Sequence, residues 1–218
     1  MKTLLVLFVL TGSLLSMCPA QPPDTTAAGK ATRDSLAHEK KMADSLRMAK
    51  LFAIAQYPYV KGSKWSGVIP IADATEIPDP RRDYKLLFEL TEKNPDSLAK
   101  EINKGLDEVA RVLNLHFASG IPPQKIIPVI VIHGPGIEAV LNNESYKKKH
   151  SIDNPNVNLV KDLGNAGAKF IVCGQAMAFY DVKREQLLPE IRISLTAQTV
   201  LSNYQLQGFI LYSVKSDR

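Results

Sequence analysis

Residues 125–141, "KIIPVIVIHGPGIEAVL", decide the fold. The run from Ile126 to Ile132 carries no polar side chain and does not alternate. A strand with one wet face alternates with a period of two, whereas a strand covered on both faces reads as a continuous apolar run. Pro128 has no amide hydrogen for a ladder, so pairing is expected to begin near it. The run ends at His133, and Gly134 and Gly136 then let the chain turn tightly. The stretch therefore reads as an inner strand with a sharp turn at its carboxyl end.

The same pattern extends in both directions. "YKLLFEL" (84–90) upstream, and "AKFIVC" (168–173), "EIRISL" (190–195) and "FILYSV" (209–214) downstream, read as four further strands. Helical segments are expected between them at about 95–118, 136–142, 156–166, 175–188 and 196–206. In the first, Asn94 is the expected cap and Pro95 the first helical residue. Leu98, Ile102, Leu106, Val109 and Leu113 form its apolar face. Alternating apolar strands and helices give an α/β chain, a three-layer α/β/α domain on a five-stranded, mainly parallel sheet. Sites in such sheets gather at the carboxyl ends of the strands, where both His133 and Cys173 stand.

The N-terminal third has a different composition. Lys2, the apolar "LLVLFVL" and a small-residue exit at Ala20 read as a signal peptide over 1–20, cut before Gln21 and too short to span a bilayer. The alternative is lipid attachment at Cys18, against which the bulky Met17 stands. The expected location is periplasmic or secreted. Residues 21–56 read as a linker, "QPPDTTAAGKATR", followed by a charged helix with a thin stripe of Leu36, Met42, Leu46 and Phe52. It is a solvated spacer or a partner-binding helix. Residues 57–83, broken by Pro58, Gly62, Gly67, Pro70, Pro78 and Pro80, read as an irregular lead-in. One short strand is expected at 67–71, with Trp65 pinning the segment to the domain. The domain proper is 84–218.

A formal charge of +5 without any aromatic–basic pattern excludes a nucleic-acid reading, and "YKKKH" (146–150) reads as solvated surface. His38, His116 and His150 lack ligand spacing, so no metal is expected. There is no phosphate loop, G-x-G-x-x-G or G-x-S-x-G, so no cofactor is expected either. If Cys18 leaves with the leader, Cys173 is the only thiol. It ends a strand, and Gly174 turns the chain into a helical stretch whose amide dipoles would favour a thiolate. The other reading is a small buried hydrophobe. His133 reads either as a proton carrier that tunes Cys173 or as a strand-end histidine bonded to backbone.

"YKLLFELT", "VIVIHGPGIEAVL", "NPNVNLVKDLGNAG", "FIVCGQAMA" and "LSNYQLQGFILYSV" together resemble the DsrE/DsrF-like family over about residues 67–214. The HG and CGQ turns, in that order, are the most telling parts. The resemblance implies a DsrE-like domain that assembles with itself as a homotrimer or hexamer. Some members carry sulfur as a persulfide within sulfur-relay systems, and Cys173 occupies the family's usual cysteine position. The implied function is sulfur, persulfide or thiol-redox handling through Cys173, with a donor or acceptor protein as partner. Gly134, Gly174 and Gln175 are then the expected ligand-binding positions. The alternative is a non-catalytic, oligomeric small-ligand-binding module.

Overall fold

A computed structural model describes residues 27–214. The expected leader and Cys18 lie outside the described residues. The chain divides into two units, residues 1–47 and 48–218. The described part of the first is most of helix α1 (Ala27–Ile54). Its Leu36, Met42 and Leu46 are exposed. The helix begins inside the stretch read as linker. Alanine, lysine and arginine there are good helix formers and no proline interrupts them, so propensity outweighs the single Gly29.

The second unit holds a five-stranded sheet made of β1 (Tyr84–Leu90), β2 (Ile126–Ile132), β3 (Lys169–Cys173), β4 (Arg192–Ser194) and β5 (Ile210–Ser213). The order is β4-β3-β2-β1-β5, and every pairing is parallel. Side chains alternate across the sheet, and both faces are apolar. Leu86, Phe88, Leu90, Ile130, Ile132, Phe170 and Val172 face the larger core, with α2 (Lys104–Ala118), α3 (Asn143–His150) and α4 (Val157–Asn165). Leu87, Val129, Val131, Ile171 and Cys173 face α6 (Ala197–Leu206). This three-layer arrangement is why the strands carry no alternating pattern. Pairing begins just after Pro128 only on the β3 side, where the ladder starts at Val129; toward β1 it starts at Ile126.

Several boundaries differ from expectation. The helix expected from Pro95 is a short 3-10 turn, Asp96–Leu98, followed by α2 from Lys104. Asn103 is the cap, accepting from the amides of Gly105 and Leu106. Asn94 closes the loop, donating to the carbonyls of Leu98, Glu101 and Ile102. Both asparagines suit a cap, and the tertiary bond from the Asn103 amide to the Asn156 carboxamide favours the later one. Residues 134–140 form a 3-10 turn, and "YKKKH" belongs to α3, a helix not expected. The stretch 175–188 is only α5 (Gly174–Phe179), because Asp181 turns left-handed at φ 50 and a 3-10 turn follows.

The expected strand at 67–71 is a single bridge, Gln56 with Val68. Trp65 is 40% exposed and packs edge-on against Phe52 at 4.7 Å. The lead-in is held instead by two buried polar residues of α2. Asn114 accepts from the amides of Tyr59 and Val60 and donates to the carbonyls of Val60 and Ser66. Asp107 accepts from the amide and hydroxyl of Ser63 at 2.7 and 2.6 Å.

Candidate functional site

β1, β2 and β3 are the three inner strands, and their carboxyl ends lie side by side. Val131 pairs with Ile171 and Ile132 with Val172. His133 continues β2 in extended backbone, φ −151 and ψ −179, and its amide donates to Leu90 at 3.0 Å. The next register position therefore sets His133 opposite Cys173 on strands roughly 4.8 Å apart. Both follow the parity of Val131 and Ile171, so they share the face that α6 covers. Glu89 shares the parity of Leu87 on β1 and belongs to the same face. His133 Nε2 and Glu89 Oε1 are 2.9 Å apart, and both side chains are partly exposed. Glu89 pairs with Val131, so it stands two residues short of His133 on the same face, and Glu89, His133 and Cys173 occupy three adjacent strands on a diagonal.

Cys173 is the one free cysteine among the described residues and is 4% exposed. It packs in one apolar cluster with Leu87, Val131, Ala176 and Ala197. Its side chain does not cap α5, which has only six residues, so the amide dipoles behind it are few. Gly174 has a steric role. A Cβ there would lie 2.8 Å from the Ser194 carbonyl oxygen, so the turn leaving β3 passes β4 more closely than another residue allows. Gly134 takes φ +55, the left-handed region, to start the turn after His133. Gln175 is exposed at the start of α5. The two turns leave the same end of the sheet, so His133 and Cys173 stand at the ends of neighbouring strands.

Glu89 was missed in the sequence. Its signal is a lone carboxylate near the end of an apolar run, which a strand covered on both faces tolerates only with a partner.

A second polar cluster joins segments that are distant in sequence. The buried Glu138 takes His150 Nε2 on one oxygen at 2.7 Å and Lys149 on the other. Lys93 pairs with Asp96 at 2.7 Å. Candidate ligand atoms of Asp96, Glu138 and His150 lie within 4.8 Å of one another, which suits a cation. Two ammonium groups already sit on these carboxylates, so the arrangement reads as an ion-pair network. The Lys93 bond holds the Asp96 carboxyl below its ordinary range. Burial, and then the Glu138 and Asp96 charges, push the Tyr146 phenol up. Beside this network lies a hollow of about 450 Å³, lined by Lys93, Ile137, Leu141, Lys149, Tyr180 and Val182 among others. Among the described residues no helix is long and apolar enough to cross a membrane.

Comparison with known proteins adds a family. Residues 85–211 match the family model described as the DsrE/DsrF-like family. The solved structure of a protein of unknown function from Methanobacterium thermoautotrophicum aligns at 15% identity with a TM-score of 0.45, covering 60% of this chain and 99% of that one. No curated protein matches.

Proposed function

The chain belongs to the DsrE/DsrF-like family, and from that premise we propose that it handles sulfur through Cys173. The observation that supports this reading is the register that sets His133 beside Cys173 at the carboxyl rim. His133 accepts the thiol proton. The thiolate attacks the outer sulfur of a sulfane donor, forming an S–S bond to Cys173 and releasing the rest of the donor as a thiolate. An acceptor thiolate then attacks the outer sulfur, becomes the persulfide and returns Cys173 as a thiolate. At 4% exposure the sulfur is reached only when α5 or the start of α6 opens locally. Gly134, Gly174 and Gln175, in the two turns beside it, are the positions this reading assigns to ligand binding. The test is mass spectrometry after incubation with a sulfane donor. Gain of one sulfur by the wild type and not by Cys173→Ser supports the reaction. No adduct with any donor overturns it.

A second reading is a non-catalytic, oligomeric module that holds a small ligand. It is favoured by the burial of Cys173 and by the hollow beside Glu138, whose volume suits a small molecule. Both readings place the protein outside the cytoplasm, in the periplasm or secreted, through a leader at 1–20. N-terminal sequencing of the exported chain tests the cut: a start at Gln21 supports it, and a lipid on Cys18 overturns it and anchors the protein to a membrane, whereas a chain that keeps its leader overturns export. Both also include self-assembly, as a trimer or hexamer, through the apolar side chains left in solvent around the rim.

A further inference from the structure

We infer that Glu89 is a positioning residue: it holds the His133 ring in the tautomer that carries its proton on Nε2, leaving Nδ1 as the acceptor for the Cys173 thiol proton. This deepens the thiol chemistry proposed above and rests on it. Neutral imidazole has one N–H and one bare nitrogen, and the bond made by one nitrogen fixes the role of the other. A carboxylate can only accept. With Glu89 Oε1 at 2.9 Å, Nε2 must be the donor. Among the described residues Nδ1 has no protein partner, so it is the ring's free acceptor. The residue beside His133 on the strand away from Glu89 is Cys173.

Proton transfer from sulfur to Nδ1 gives a thiolate and an imidazolium. No electron is gained or lost, and the new positive charge lies against the Glu89 carboxylate. A carboxylate that orients a histidine and stabilises its charged form is the third member that a nucleophile–base pair requires. The backbone holds the three in place. All three residues stand on inner strands of an all-parallel sheet, and the His133 amide is tied to Leu90. A partly exposed glutamate directly after the buried run Leu86–Phe88 is also hard to explain by packing alone.

The experiment has two readouts on the full chain. Nitrogen-15 NMR of the imidazole reports the tautomer. The wild type is expected to show the Nε2–H form, Glu89→Gln to keep it because the amide oxygen still accepts, and Glu89→Ala to lose the preference. Alkylation of Cys173 by iodoacetamide near neutral pH, followed by mass, reports the coupling. Glu89→Ala is expected to slow it about tenfold in the wild type and to change nothing in a His133→Ala background, with the urea midpoint unmoved. An Nδ1–H form in the wild type overturns the inference. So does an equal slowing with and without His133, or a thiol that no variant exposes to the reagent. Failure of the sulfane assay with both readouts as expected would remove the proposed reaction and leave the positioning role standing.

Discussion

Asn114 and the two bonded tyrosines show how single residues hold the fold. Asn114 is fully buried and satisfies four backbone groups of the lead-in. Asn114→Ala leaves those donors and acceptors in a dry interior, and unsatisfied buried groups are expensive. The expected loss is about 3 kcal/mol, read as a lower urea midpoint with unchanged slope. Tyr59 and Tyr146 donate to the carbonyls of Ala166 and Ala99 at 2.9 and 2.7 Å, and burial raises both phenols above the ordinary 10.0. A raised folded value favours the neutral form. This contribution is complete below the unfolded value and is lost as pH rises through the folded one. Melts from pH 8 upward are expected to fall in the alkaline range, and less steeply in a double Tyr→Phe variant. His133 and Cys173 were legible in the sequence because each ends an apolar run. Glu89 was not, because its meaning depends on which strand lies beside β1 and in what register.

At the scale of elements, strands were read more accurately than helices. Five apolar runs gave five strands: the three inner ones are buried on both faces, while β4 and β5 at the edges stay largely exposed and were legible from their apolar residues alone. Helix ends depend on competition between caps, and tertiary bonds decided between Asn94 and Asn103. The helix α3 was hidden because its residues are nearly all polar, with Tyr146 alone buried. The lead-in was read as irregular, but its role was not visible: Asp107 and Asn114 lie inside a helical pattern, where polar residues ordinarily face water. A chain starting at Met48 is expected to melt within about 2 °C of the full one, since the α1 stripe is exposed. A chain starting at Gly67 loses the Asn114 and Asp107 partners and is expected to melt roughly 10 °C lower by calorimetry.

Across the whole molecule, the apolar surface around the rim is the feature that points beyond one chain. Phe179 is 81% exposed and Leu195 77%. Large apolar patches are costly in water and usually mark contacts. Tyr180 is also exposed, whereas Met177 is buried in its own core. Light scattering at micromolar concentration is expected to give a trimer, and Phe179→Asp with Leu195→Glu a monomer with unchanged circular dichroism. A monomeric wild type would reject the assembly. The strand order has a separate consequence for how the protein is made. β1 lies between β2 and β5, with Leu86 beside Ile210, so one edge of an early strand waits for a segment far downstream in the chain. Until that segment arrives, one edge of β1 offers unpaired amides and carbonyls, so the last ladder to form is also the longest in sequence separation and the slowest to find.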